Sequence, residues 1–314
     1  MAEAHSNDAV LPFAIEKLDV RGRTVRLGDS IDTILTRHDY PPAVARAVGE
    51  AAALTTLLGT ALKFEGCFQL QTRTDGIVSM IVVDFDAPDR LRACATFDAQ
   101  ALERALAEGR TLDTAALLGK GHLGLTIDQG PHMSRYQGIV ALEGQGLEDA
   151  AHHYFRQSEQ IPTRIRLAVG EEFTSGGEQR RAAYRAGGVM VQYLPGHGTV
   201  PAAPDDAEND GWREARLLVE TVEDHELIDS TLSSERLLYR LFHEHEVRVF
   251  DAQSVHEECR CTRERIVSML GSFSMDERQQ MIGDNGRIGV TCEFCSRHYD
   301  IELAEAGLTV ADGQ

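Results

Sequence analysis

Basic residues are scarce: 31 Lys and Arg stand against 50 Asp and Glu, for a net charge of −19. Binding a phosphate backbone draws on clustered Lys and Arg that release counterions, so a nucleic-acid partner is not expected. Long apolar runs are missing as well. Stretches such as Met80–Val83 fall far short of the roughly 20 residues that a spanning helix needs, and no membrane partner is expected. Met1–Asp8 has no basic region and no cleavable apolar run after it, which predicts a cytoplasmic protein. The glycine-rich stretch Gly119-Lys120-Gly121-His122-Leu123-Gly124 lacks the spacing and the terminal Lys-Ser or Lys-Thr of a phosphate-binding loop, so no nucleotide is expected. A GxSxG nucleophile elbow is absent too, and the reading is of a protein that is not an enzyme.

What is present reads as an α+β chain of three parts. Residues 1–198 form a sheet-rich α/β domain. Val25–Leu27, Cys67–Gln71, Ile77–Phe85, Leu123–Asp128, Tyr136–Leu142, Arg164–Val169 and Gly188–Leu194 read as strands, and Pro42–Lys63 as a long helix with proline near its start. Gly196-His197-Gly198 and the Pro- and Asp-rich residues after it mark a boundary. Residues 199–250 then form an acidic helical linker: Pro201–Glu235 holds eleven Asp or Glu against two Arg, Arg213 and Arg216. Its apolar residues recur at helical spacing, and short helices of this kind are marginal in water unless their apolar face is docked. Residues 251–314 form a small C-terminal domain. Thr262 caps a helix to Leu270, Ser274 and Glu277 make a capping box for Met275–Ile282, Asn285-Gly286 is a turn, and Ile288, Val290, Tyr299 and Ile301 sit on short strands. So few apolar side chains imply a staple.

Cysteine supplies that staple. Of six cysteines, Cys67 and Cys94 stand alone in apolar surroundings and read as buried small hydrophobes. Cys259-Arg260-Cys261 and Cys292-Glu293-Phe294-Cys295, thirty residues apart, offer four thiolates, the donor type and number of a closed tetrahedral zinc site with one Zn2+ per chain. Such a site is in most small domains purely structural. In a reducing compartment, however, metal-bound thiolates are also oxidisable, and metal-binding free energy in so small a unit is folding free energy.

The residues Val247-Arg248-Val249-Phe250, Cys259-Arg260-Cys261-Thr262-Arg263-Glu264-Arg265 and Cys292-Glu293-Phe294-Cys295 resemble the redox-regulated 33-kilodalton heat shock protein family. So do His38-Asp39-Tyr40-Pro41, Tyr136–Gly144, Tyr154–Thr163 and Gly187-Gly188-Val189-Met190, so that the resemblance covers nearly the whole chain. It implies an ATP-independent holdase that is inactive with zinc on Cys259, Cys261, Cys292 and Cys295. Oxidation would pair Cys259 with Cys261 and Cys292 with Cys295, release the ion and unfold the linker. The active form would dimerise and bind unfolding client proteins. Leu217, Leu218, Val222, Leu227 and Ile228 are the candidate client-binding residues, exposed when the linker melts. One departure is Glu257, where the family usually carries an aromatic residue; Glu258 adds a second negative charge before the first cysteine pair.

Two other functions compete. A thiol–disulfide oxidoreductase would use Cys292 and Cys295, although its CxxC would open a helix after a strand. A zinc-ribbon nucleic-acid binder is opposed by charge, because Gln253–Gln314 holds eleven acidic and six basic residues. His243-Glu244-His245-Glu246 and His152-His153 read as solvated helix ends rather than metal ligands.

Overall fold

A computed structural model describes residues 8–62, 64–130, 133–174, 181–194 and 209–308. The expected boundary at Gly196–Gly198, the start of the acidic segment and Lys63 lie outside the described residues. The fold is α+β, and the chain separates into two compact units, residues 1–257 and 258–314.

In the first unit, β1 (Ala9–Ile15) and β2 (Val20–Leu27) lead into α1 (Asp29–His38) and α2 (Pro42–Ala61). There follow β3 (Cys67–Thr74), β4 (Val78–Asp86), β5 (Arg90–Phe97), α3 (Ala99–Ala107), α4 (Thr114–Leu118), β6 (Lys120–Asp128), β7 (Tyr136–Glu143) and α5 (Leu147–Tyr154). The unit continues with β8 (Thr163–Thr174), β9 (Arg181–Tyr193), α6 (Asp210–Glu220), α7 (Asp224–Ile228), α8 (Ser234–Phe242), β10 (Arg248–Val249), β11 (Gln253–Ser254) and β12 (His256–Glu257). The strands make two sheets. One runs β10-β1-β2-β9-β8, with β11 also on β1, and the other runs β12-β5-β4-β3-β6-β7.

Between the sheets lies α2, whose Val44, Val48, Leu54 and Leu57 are fully buried against apolar residues of both. Its alanine-rich sequence favours the helix and keeps side chains short where two sheets must approach it. At one end of this core the predicted solvated helix end is corrected: His152 is largely buried, and its Nε2 accepts a 2.9 Å hydrogen bond from the Ile165 N–H. Burial lowers its pKa to about 4, so the ring is held neutral as an acceptor. The other histidine pair does close a helix, since His243 caps α8, while His245 Nε2 lies 2.9 Å from Glu214.

The opposite face of the first sheet carries the acidic helices. Leu11, Phe13, Ile15, Val20, Val189 and Val191 pack against Trp212, Ala215, Val219, Val222, Leu227, Leu238 and Phe242. In the structure the acidic segment is therefore a layer of the first unit. Asn209, Ser233 and the Glu223/Glu226 capping box start its three helices with their own side chains. After α8 the chain runs back along the sheets, where β10 and β11 pair antiparallel with β1 and β12 pairs parallel with β5. Residues 251–257 thus belong to the first unit, and the boundary falls seven residues beyond the expected one.

Gly187 is where α7 comes closest to the sheet: a Cβ there would sit 2.1 Å from the Leu227 carbonyl oxygen. Gly187→Ala is expected to destabilise the unit by about 1–3 kcal/mol through overpacking. Thermal unfolding reads the loss, and amide exchange should show it first at Asp224–Ile228; an unchanged midpoint would refute the close docking.

Candidate metal and redox centre

The second unit is built around very little. Six residues, Ile266, Leu270, Ile288, Ile301, Ala306 and Leu308, make its buried apolar cluster. Two helices, α9 (Arg263–Leu270) and α10 (Met275–Gln280), start as the sequence reads, with the Thr262 side chain accepting from the Arg265 N–H and the Ser274/Glu277 box closed. The second helix ends two residues before the expected Ile282. A hairpin of β13 (Ile288–Thr291) and β14 (His298–Ile301) pairs Ile288 with Ile301 and Thr291 with His298. Arg263 holds the end of the unit through Glu305, at 2.9 and 2.7 Å, and through the Asp300 carbonyl.

The turn between β13 and β14 carries the second cysteine pair. The Cys292 N–H donates to the Arg297 carbonyl at 2.9 Å, the Ser296 N–H donates back to Cys292 at 2.8 Å, and Ser296 takes a left-handed φ of 54°. This tight knuckle folds Cys295 back toward Cys292. The first pair lies just ahead of α9, and the four sulfurs converge so that all lie within 4.8 Å of one another. Among the described residues it is the one group of Cys, His, Asp or Glu able to hold a metal ion. Two sulfur contacts run across the pairs, Cys259 to Cys292 at 3.7 Å and Cys261 to Cys295 at 3.2 Å. None of the six cysteines forms a disulfide. Four sulfur donors grouped without a His, Asp or Glu among the described residues fit a closed tetrahedral thiolate site.

Tyr299 touches this site and is not visible as a functional residue in the sequence. Its hydroxyl lies 3.3 Å from Cys261 Sγ and 3.2 Å from the Cys261 carbonyl oxygen. Burial raises the Cys261 pKa, but hydrogen bonds from Tyr299 and the other cysteines outweigh it and bring the thiol down to about 7. Burial pushes Cys259 and Cys295 the other way. Metal-free, Cys261 is therefore the first of these three to ionise. A tyrosine one turn past a CxxC on a two-residue alternation was the only available signal.

Glu257 also acquires a partner. Arg37 of α1 reaches it with a bidentate pair of hydrogen bonds, 2.8 and 3.1 Å, so the chain is anchored to the first unit two residues before Cys259. The pair is bidentate and charge-assisted.

Of the five candidate client-binding residues, Val222 and Leu227 are buried under the acidic layer, and Leu218 and Ile228 pack against its edge. Leu217 does not join them. It is 46% exposed, because Trp212, Ala215 and Val219 take the docking face of α6 and Leu217 falls outside that stripe. Arginines beneath the layer were also missed. Arg164 pairs with Glu220 at 3.3 Å, Arg166 with Asp224 at 3.1 Å, and Arg26 donates to the carbonyls of Glu226, Leu227 and Asp229 at 2.9, 3.3 and 2.8 Å. The signal was present: Arg164 and Arg166 share one face of a strand, where alternation alone would place apolar side chains.

Fold and site together define a class, an α+β protein whose two-sheet body is followed by a minimal unit gathered around four sulfurs. The chain belongs to the Hsp33 protein family, whose model matches residues 8–302. It is 45% identical over 300 residues to a protein named 33 kDa chaperonin from Caulobacter vibrioides, covering 94% of this chain and 95% of that one. A protein of the same name from Photobacterium profundum is 35% identical over 297 residues, covering 95% and 93%. The crystal structure of a 33 kDa chaperonin from Thermotoga maritima shares the fold, with a TM-score of 0.76 at 19% identity over 96% of this chain and 97% of that one. Among the described residues, no helix is long and apolar enough to cross a membrane.

Two substitutions test the centre. Tyr299→Phe should move the pH midpoint of Cys261 alkylation upward in metal-free protein, because a donor to the thiolate is lost; a midpoint that stays put contradicts the assignment. Cys292→Ser removes one of four donors and should weaken metal binding and expose the amides of Ile288–Thr291, read by metal competition and hydrogen exchange.

Proposed function

We propose that this chain is a redox-regulated, ATP-independent holdase of the cytoplasm, inactive while reduced and activated by oxidation. The observation that carries the reading is the convergence of four thiols in a unit with six buried apolar residues. Cys259, Cys261, Cys292 and Cys295 would hold one zinc ion per chain, and the ion's contribution is folding free energy, on the order of 10 kcal/mol in zinc-finger peptides. A unit so small has no comparable reserve of its own.

In the reaction proposed here, the Cys259 and Cys261 thiolates give up two electrons to one peroxide, which takes two protons from solvent, forming a disulfide and two waters. Cys292 and Cys295 do the same with a second peroxide. These local pairs are the ones the family resemblance implies. Disulfide sulfurs are poor ligands, so the staple is lost. The acidic layer of residues 199–250 then undocks, because its helices are short and bring like charges together. Clients meet Val222, Leu227, Leu218 and Ile228 and the sheet surface they had covered, and the oxidised chain dimerises. Leu217 is already exposed when reduced and contributes little to the switch.

The oxidoreductase reading finds less support, since Cys292–Cys295 sits in a hairpin turn and not at a helix start. Zinc stoichiometry and thiol titration, followed through peroxide treatment at raised temperature, decide the matter when paired with an aggregation assay. The expected result is one zinc and four reactive centre thiols before treatment. Afterwards neither remains, and aggregation of a heated client is suppressed without turnover of an artificial disulfide substrate. Suppression that is already maximal in the zinc-bound protein would contradict the reading.

A further inference from the structure

The sheet face beneath the acidic layer is not purely apolar. Register places Phe13, Gly22, Val191 and Arg164 in one cross-strand row, Leu11, Thr24, Val189 and Arg166 in the next, and Arg26, Gly187 and Ala168 in a third. Alternation sends these residues to one side of the sheet. An apolar strip from β1 to β9 is thus flanked by three guanidiniums, on β8 and on β2.

Each guanidinium is matched by a specific feature of the resident helices. Arg164 meets Glu220 at the end of α6, and Arg166 meets Asp224 at the start of α7 while also facing Glu148 and the Val222 carbonyl. Arg26 takes three backbone carbonyls at the end of α7. The occupant is therefore recognised by three things together: an apolar stripe, two carboxylates four residues apart beside it, and the free carbonyls of a helix end.

We infer that this arginine-flanked face is a binding site for acidic amphipathic segments of client proteins, with α6 and α7 as its resident occupant. The inference rests on the reading that oxidation undocks those helices. Once they leave, an apolar client alone would cover the strip but would desolvate guanidiniums without pairing them, which is costly. A segment carrying carboxylates at helical spacing restores the pairs, and a basic segment adds repulsion. The vacated face accordingly discriminates among unfolding chains by charge, and does not merely collect apolar surface.

The test uses full-length protein and two labelled peptides, one with the sequence of residues 209–232 and the other carrying Glu220→Gln and Asp224→Asn. Fluorescence anisotropy at low salt should show the oxidised protein binding the acidic peptide at least tenfold more tightly, about 1.4 kcal/mol, with the gap closing as salt rises. Arg164→Gln combined with Arg166→Gln should erase the preference for the acidic peptide in oxidised protein. Equal affinity for both peptides, or none for either, in oxidised protein that suppresses aggregation would overturn the inference and leave the holdase reading standing. Failure of oxidised protein to suppress aggregation would remove that reading. Val219→Asp, which dislodges α6 without oxidation, then keeps the site itself testable: a preference for the acidic peptide in this reduced variant supports the site, and its absence overturns it.

Discussion

Both faces of the β1-β2-β9-β8 sheet are apolar, and a sheet of that kind stays in water only while both are covered. One face is closed by α2, a long helix that the second sheet buries from its other side. The other is closed by α6, α7 and α8, which are short and close to the limit of helix stability, the first two with more acidic than basic residues. The permanent cover and the removable cover thus lie on opposite sides of one sheet. Whatever weakens the second exposes the sheet face beneath it without dismantling the core around α2.

The removable cover is held by apolar packing and by cations placed to meet it. Eleven acidic residues in Pro201–Glu235 repel one another, and Arg26, Arg164 and Arg166 offset part of that repulsion from below. Such a layer is stable in place and unstable alone, which is what a switch requires. The second unit has the same character for a different reason. Six buried apolar residues make its cluster among the described residues, and four sulfurs converge in the same unit.

Much of this was legible in the sequence. Alternation and helical spacing located seven strands of the first unit, the two of the second and the long α2, and capping residues at Thr262, Ser274 and Glu277 located both helices of the second unit. Cysteine spacing pointed to the four sulfurs that converge. Strands β1 and β5 escaped because Pro12 interrupts one and Arg90 and Arg92 break the apolar pattern of the other. His152 and Leu217 were misplaced for a related reason, since only tertiary contact decides which side of a short helix is covered. Arg164, Arg166 and Tyr299 left only a weak alternation signal, and Arg26 left none. The groups they meet lie from 18 to about 200 residues away along the chain, and pairing over such spans becomes visible only once the chain is folded.

The central claim is that the state of four C-terminal thiols governs the docking of the acidic layer. Hydrogen exchange across Trp212–Leu232, measured on reduced zinc-loaded protein and on protein with all four centre thiols oxidised, reads that coupling directly. The account predicts that protection at Trp212, Ala215, Val219 and Leu227 collapses on oxidation while the amides of α2 remain protected. Protection across Trp212–Leu232 that survives complete oxidation would contradict it, even in a protein that still holds clients.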